Sequence, residues 1–288
     1  MTLGQALQQA TSIFSVNNIE DAHLEARVLL EHVLKLSAAK LYTETEQNLN
    51  KEQEENLHRL IERRLHREPV AYIVNHKEFY GIDFYVDHRV LIPRPETELL
   101  VEEALKFAKR HGNEPAFRSN PLLVADIGTG CGNIAICLAL NIANIKICAV
   151  DISPPALEVA RLNCEHYRVT EKITLLRGNL LEPITKPVDL IVANLPYIKS
   201  SELNTLNPES AFFEPRAALD GGRWGLKQIS RLLKQTKEKI EQQCCLLVEI
   251  GEEQEHSVVK LVNQYLTNAI IELVPDLNNI KRVVKINI

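Results

Sequence analysis

The sequence predicts an α/β protein, a mostly parallel seven-stranded sheet with an antiparallel edge strand, preceded by a small all-helical region. Three observations carry this. Short apolar runs alternate with helical patterns from residue 122 to the end of the chain. A glycine turn, Gly128-Thr129-Gly130-Cys131-Gly132, joins one such run to an apolar helix. Residues 1 to 72, by contrast, show helical spacing alone.

In the first region Leu3, Ala6, Leu7, Ala10 and Ile13 recur on one helix face, as do Leu57, Leu60, Ile61 and Leu65. Asn18 is placed to cap a helix carrying Ala22, Ala26, Leu29, Val33 and Leu34. The segment from Lys51 to Arg67 has a strongly charged face, consistent with plain solvation or with docking of a partner. From Glu68 to Glu98 the period changes. Tyr72, Phe79, Tyr80, Phe84 and Tyr85 with Gly81 suggest a hairpin linker over 73–93. In Leu91-Ile92-Pro93-Arg94-Pro95-Glu96-Thr97-Glu98, two prolines stiffen the chain around Arg94, an anion contact or a strut. Glu96 or Thr97 then opens a helix over Leu99–Lys109. The organisation expected is a helical region over 1–72, the linker, and an α/β domain over 94–288.

The α/β region begins after a polar surface loop, residues 111 to 121. Leu122–Ala125 is a buried strand. Asp126-Ile127 and the glycine turn follow, spaced G-x-G-x-G, with a helix from Asn133 to Leu140. A strand, a glycine loop and a helix open a Rossmann-like unit, because glycines let a ligand approach the backbone. The next strand, Lys146–Val150, ends in Asp151, about 20 residues past the loop, where an acid can accept from both hydroxyls of a ribose. The helix Ala156–Tyr167 leads to a third strand, Ile173–Leu176, and then to Gly178-Asn179-Leu180, where an adenine would lie.

A fourth apolar run, Val188 to Ala193, stops in Asn194-Leu195-Pro196-Tyr197. In an open α/β sheet this is where ligands sit. The Asn194 side-chain oxygen and the Leu195 carbonyl are two acceptors able to bind both hydrogens of one NH2 group. Tyr197 offers a flat face for a planar amide or base. Pro196 restricts Leu195 to extended backbone and so fixes where its carbonyl points. An Asn-Pro turn closing a strand is the plainer alternative. A long polar segment, Ser200 to Gly222, comes next, then the helix Trp224–Gln242 and strands over Cys245–Ile250, Ala269–Val274 and Arg282–Ile288.

Composition narrows the classes further. Hydrophobic content of 45% and charged content of 25% suit a soluble globular chain of 288 residues. A net charge of −5 argues against a nucleic-acid backbone as the main partner. No basic, apolar leader is evident, and no run approaches the ~20 apolar residues that span a bilayer. The six cysteines form no C-x-x-C pair and the nine histidines no H-E-x-x-H, so buried thiols in a reducing compartment and no metal are expected.

Taken together, these residues resemble the class I S-adenosylmethionine-dependent methyltransferases, and more narrowly the HemK/PrmC family of protein-(glutamine-N5) methyltransferases. The resemblance rests on Arg67-Glu68-Pro69 with Ala71-Tyr72-Ile73, on Leu91 to Glu98, on Asp126 to Gly132 and on Asp151 to Ser153. It rests equally on Asn194 to Tyr197, Glu214 to Gly222, and Glu249-Ile250-Gly251 with Gln254. It implies S-adenosyl-L-methionine held by Gly128, Thr129, Gly130, Cys131, Gly132, Asp151, Asn179, Leu180 and Asn194. Asn194, Leu195, Pro196 and Tyr197 would grip the glutamine of a Gly-Gly-Gln loop, with Asn194, Pro196 and Tyr197 catalytic. The partner implied is a class I peptide-chain release factor, docked by the N-terminal helices of a cytoplasmic monomer that contacts neither nucleic acid nor membrane. Two departures stand out: Leu195 replaces the first proline of the family's Asn-Pro-Pro-Tyr, and Asn179 stands where an acid is common. Asn-Leu-Pro-Tyr also occurs in ribosomal-RNA adenine dimethyltransferases. The open alternatives are therefore an RNA adenine N6-methyltransferase, a ribosomal-protein glutamine methyltransferase, and a cofactor-binding scaffold without turnover.

Overall fold

The computed structural model describes residues 1–113, 120–239 and 243–288. These form two compact units, Met1–His76 with Asn207–Phe213, and Lys77–Leu206 with Glu214–Ile288.

The first unit is helical. Helix α1 (Leu3–Val16) opens with a capping box, Thr2 accepting from the Gln5 N–H while the Gln5 side chain accepts from the Thr2 N–H. Helices α2 (Ala22–Leu34), α3 (Ala38–Thr43), α4 (Lys51–Leu65) and α5 (Val70–Val74) complete the bundle, α4 with a second capping box from Asn50 and Gln53. Leu3, Ala6, Ala10 and Phe14 bury against Ala26, Leu29 and Leu30, the faces expected from spacing. Asn18 does not cap α2. It adopts φ 54°, its N–H bonds back to Ser15, and Asp21 takes the N-cap position. A left-handed asparagine suits the exit of α1, and Asn18 stands three residues before the N-cap position of α2.

Arg64 of α4 is nearly fully buried. Its guanidinium pairs with Glu25 of α2 and, at 2.8 Å, with Glu209 in the short helix α9 (Pro208–Phe213). Burial raises the pKa of the Glu209 carboxyl, but its own backbone N–H, Arg64 and Arg67 together hold it below its usual range. Removing Arg64 leaves Glu25 half-sheltered and unpaired, and leaves Glu209 with only the longer pair to Arg67, at 3.5 Å. Arg64→Ala is expected to lower the local stability of α4 by about 3 kcal/mol, read by faster hydrogen exchange of its backbone amides.

A hairpin opens the second unit, its first residue the last of the first unit's opening stretch: β1 (His76–Phe79) and β2 (Ile82–Tyr85), turning at Tyr80 and Gly81, both with positive φ as a two-residue turn requires. Its Phe79 and Phe84 rings bury edge to face. Helix α6 (Glu98–Asn113) starts one residue earlier than expected, after a 3₁₀ turn over Pro95–Thr97, and the surface loop expected next lies mostly outside the described residues. The remaining elements are β3 (Leu122–Ile127), α7 (Asn133–Asn141), β4 (Ile145–Asp151), α8 (Pro154–His166), β5 (Ile173–Arg177), β6 (Leu190–Ala193) and, after α9, α10 (Arg216–Leu219). They end with α11 (Lys227–Lys239), β7 (Cys245–Glu249), α12 (Glu255–Tyr265), β8 (Ile270–Pro275) and β9 (Lys281–Asn287). Helix α11 begins at Lys227, not Trp224, because Gly225 with φ 70° cannot sit in a right-handed turn; residues 240–242, where it was expected to end, lie outside the described set.

The sheet order is β5-β4-β3-β6-β7-β9-β8. The first five strands are parallel, and both antiparallel pairings are made by β9, next to the edge. Parallel strands covered on both faces read as continuous apolar runs, which is why β6 and β7 are buried at every position. No helix among the described residues is long and apolar enough to cross a membrane.

Candidate active site

Strand register assembles the site. Ile127 at the end of β3 pairs with Val150 of β4 on one side and Ala193 of β6 on the other. Gly128, Asp151 and Asn194 therefore leave the sheet side by side, at the point where strand order reverses and a crevice opens.

The glycine loop is fixed from beneath. The Gly128 and Thr129 N–H groups both donate to the Val150 carbonyl, at 2.8 and 3.0 Å. Gly130 N–H donates to Asp151 Oδ2 and Ser153 N–H to Oδ1, each at 2.9 Å. Burial raises the Asp151 pKa while these backbone donors oppose the rise. Gly128, Gly130 and Gly132 all have positive φ, and Gly132 caps α7. Asp126, which sequence reading left without a role, anchors the loop. Its Oδ2 accepts from the Thr129 hydroxyl at 2.6 Å, and complete burial pushes its pKa up to about 6.

The crevice is lined by Gly128, Gly130, Asp151, Asn179, Leu180 and Asn194 among the residues expected for a cofactor, together with Leu195 and Pro196. Thr129, Cys131 and Gly132 stand behind this wall. Thr129 turns to Asp126, the Cys131 carbonyl accepts from Asn163 at 2.9 Å, and burial pushes the Cys131 thiol up to about 12. Asn163 also brackets Tyr85, accepting from its N–H and donating to its carbonyl, so the hairpin steadies the loop through α8. The Asn179 amide donates to Glu182 at 2.8 Å, which turns its nitrogen away and leaves its oxygen as the acceptor.

Asn194 donates through Nδ2 to the Thr97 hydroxyl at 2.9 Å. Its Oδ1 and the Leu195 carbonyl receive no hydrogen bond from the described residues. Tyr197 lies outside the crevice and lines an adjoining groove with Trp224, Leu226 and Gln254. Burial raises its pKa, and the neighbouring Glu249 raises it further.

Two supports hold this segment through contacts that sequence reading did not foresee, and a third pairing settles the role of Arg94. Gln254 spans it: its Nε2 donates to the Tyr197 carbonyl and its Oε1 accepts from Gly251, each at 2.9 Å. Gly221 and Gly225 pack so closely that a Cβ on either would fall within 2.7 Å of the Pro196 or Tyr197 carbonyl oxygen. Glu214 accepts from Arg94 at 2.6 Å and from the Ile92 N–H at 3.0 Å, which makes Arg94 a strut. Behind the segment, Glu249 ends β7 with 1% of its surface exposed. Burial lifts its pKa to about 7, with Glu96 adding to the rise and the neighbouring Thr97, Arg282 and Tyr197 opposing it. Its Oε2 has no close partner among the described residues. A glutamate closing an otherwise apolar strand was the available signal.

Known proteins resemble this chain along most of its length. Residues 5–74 match the model of the PrmC N-terminal domain, and residues 116–242 match that of the methyltransferase small domain. The release factor glutamine methyltransferase of Koribacter versatilis is 37% identical over 289 residues, covering 99% of this chain and 98% of that protein. That of Geobacter sulfurreducens is 36% identical over 264 residues, covering 91% and 89%. Among solved structures, the hMettl16 catalytic domain in complex with MAT2A 3′UTR hairpin 6 shares the fold, with a TM-score of 0.54 at 15% identity, over 72% of this chain and 76% of that one. Identity of this level over nearly the full length of both partners shows that the chain belongs to the release factor glutamine methyltransferase family.

Proposed function

We propose that this chain transfers a methyl group from S-adenosyl-L-methionine to the side-chain amide nitrogen, N5, of the glutamine in the Gly-Gly-Gln motif of class I release factors. The observation that carries the reading is the pair of unengaged acceptors, Asn194 Oδ1 and the Leu195 carbonyl, at the mouth of β6 beside the glycine loop.

The crevice fits the cofactor. A Cβ at Gly130 would meet only the Gly128 carbonyl oxygen, at 3.9 Å, so the loop leaves room for a ligand against its backbone. Asp151 offers carboxylate lone pairs for a ribose diol; Asn179 and Leu180 offer an amide oxygen and an apolar surface for adenine. Bound there, the cofactor supplies an electrophilic methyl group on a sulfonium.

The chain supplies the rest. An amide nitrogen is a weak nucleophile because its lone pair is delocalised into the carbonyl. Asn194 Oδ1 and the Leu195 carbonyl accept its two hydrogens, orient the nitrogen and favour positive charge developing on it. Pro196 keeps the Leu195 backbone extended, so replacement of the first proline of the family motif by Leu195 leaves the carbonyl in place. Pro196 lines the crevice beside the amide plane, and Tyr197 offers its ring face from the neighbouring groove. The helical unit docks the release factor, and the enzyme works as a cytoplasmic monomer without direct nucleic-acid or membrane contact, in keeping with its charge of −5.

The test is mass spectrometry of a release factor before and after incubation with the chain and labelled cofactor, with ribosomal RNA in a parallel reaction. One added methyl on the Gly-Gly-Gln glutamine is expected. Label in RNA alone, or cofactor binding without transfer to any release factor, overturns the reading.

A further inference from the structure

We propose that Gln235, on α11, is a positioning residue that holds Leu180 in a left-handed conformation and so aims its side chain into the cofactor crevice. The inference rests on the reading of that crevice as the seat of S-adenosyl-L-methionine.

Leu180 adopts a backbone that leucine seldom takes. Of the nine described non-glycine residues with positive φ it alone is buried, with φ 58° and 7% of its surface exposed. A Cβ makes this conformation costly, and glycine or asparagine is the usual occupant. Such backbone persists only where its surroundings impose it, and it collects at functional sites. Leu180 lines the crevice with Asp151 and Asn179, which gives its side chain a use that glycine could not supply.

The surroundings that impose it come from α11. After β5 the chain reverses over residues 179–182, the Glu182 N–H donating to the Asn179 carbonyl at 3.3 Å. The Gln235 side-chain amide brackets Leu180 in this turn. Its Oε1 accepts from the Leu181 N–H at 2.7 Å, and its Nε2 donates to the Asn179 carbonyl at 3.4 Å. Lys239, one turn further along the helix, donates to the Leu181, Glu182 and Ile184 carbonyls at 2.8, 2.9 and 3.4 Å. Pro183 closes the turn, packed so tightly that a Cβ on Gly178 would fall 2.5 Å from its ring. Gln228, Gln235 and Lys239 share one stripe of α11, and Gln228 itself lines the crevice. One helix face therefore serves the crevice twice, by direct lining and through the turn.

Gln235→Met removes both hydrogen bonds at nearly constant length. It is expected to weaken cofactor binding roughly 10-fold, the cost of leaving one sheltered N–H unsatisfied. Calorimetric titration with S-adenosyl-L-methionine and with S-adenosyl-L-homocysteine reads this directly. At saturating cofactor, kcat and the KM for a release factor should stay within about twofold, a split that general loosening of the fold would not produce. Gln235→Glu keeps the acceptor for the Leu181 N–H and should recover most of the loss. In a Leu180→Gly background, itself weaker in binding, Gln235→Met should add less than about twofold, because no side chain is left to aim. Without any ligand, the Leu181 amide should exchange faster in Gln235→Met than in the wild-type chain. Unchanged cofactor affinity or unchanged Leu181 exchange in Gln235→Met overturns the inference. So does a loss confined to kcat, or the full loss of affinity in the Leu180→Gly background. A wild-type chain that binds the cofactor but methylates no release factor counts against the functional reading alone, since calorimetry still decides the role of Gln235.

Discussion

Asn194→Ala is expected to lower kcat on a release factor by about 10²–10³-fold while changing cofactor affinity only slightly. The asymmetry follows from what the side chain touches. Its Nδ2 is committed to Thr97, and in the proposed reading its Oδ1 is one of two acceptors for the substrate NH2. Truncation removes a charge-stabilising oxygen that matters most as the nitrogen becomes positive, so the loss falls on the chemical step. The cofactor crevice keeps Gly128, Gly130 and Asp151, none of which depends on Asn194 for its hydrogen bonds. Steady-state kinetics on the release factor and calorimetric titration of the cofactor separate the two effects. Equal losses in both would contradict the role assigned.

Gly225→Ala should bring the largest loss of stability of any single methyl added to this unit. The new Cβ would lie 2.2 Å from the Tyr197 carbonyl oxygen and 2.5 Å from Gln254 Nε2, at a backbone φ of 70°. The strained φ costs about 1–2 kcal/mol, and breaking the Gln254–Tyr197 hydrogen bond in a half-buried site adds about 1–3 kcal/mol. A total near 4 kcal/mol corresponds to a fall of roughly 10 °C in Tm. Gly81→Ala is the control, with φ 69° and no atom within 4 Å of its Cβ, so it carries the backbone cost alone. Circular dichroism melts of both variants check the difference. Similar Tm values would show that the segment after β6 is not held by Gly225 and Gln254.

Much of this architecture can be read from the chain. β3, β4, β6 and β7 are near-continuous apolar runs because both faces of a parallel sheet are covered, and each ends at a residue whose polarity marks the exit: Asp126-Ile127 into glycine, Asp151, Asn194, Glu249. Local pattern therefore places Gly128, Asp151 and Asn194, and the order of strands brings them together. What lies beyond local pattern is partnership across the chain. Nothing near Thr97 says that its hydroxyl meets Asn194, and nothing near Gln254 says that it spans Tyr197 and Gly251. Asn18 shows the same limit at short range. Asparagine serves both helix entry and left-handed helix exit, and only the backbone, with φ 54°, decides between them.

The pairing of Arg64 with Glu209 bears on how this protein can be cut. Deleting Met1–His76 to obtain a minimal catalytic fragment would strip Glu209 of Arg64 and Arg67 together, and leave Asn207–Phe213 without the unit it folds with. In sequence that stretch lies between Asn194–Tyr197 and Glu214, the acceptor of the Arg94 strut. Such a fragment would carry every residue of the crevice and still contain a span without its folding partners. The two halves cannot be swapped among relatives as separate cassettes unless Arg64 and Glu209 travel together.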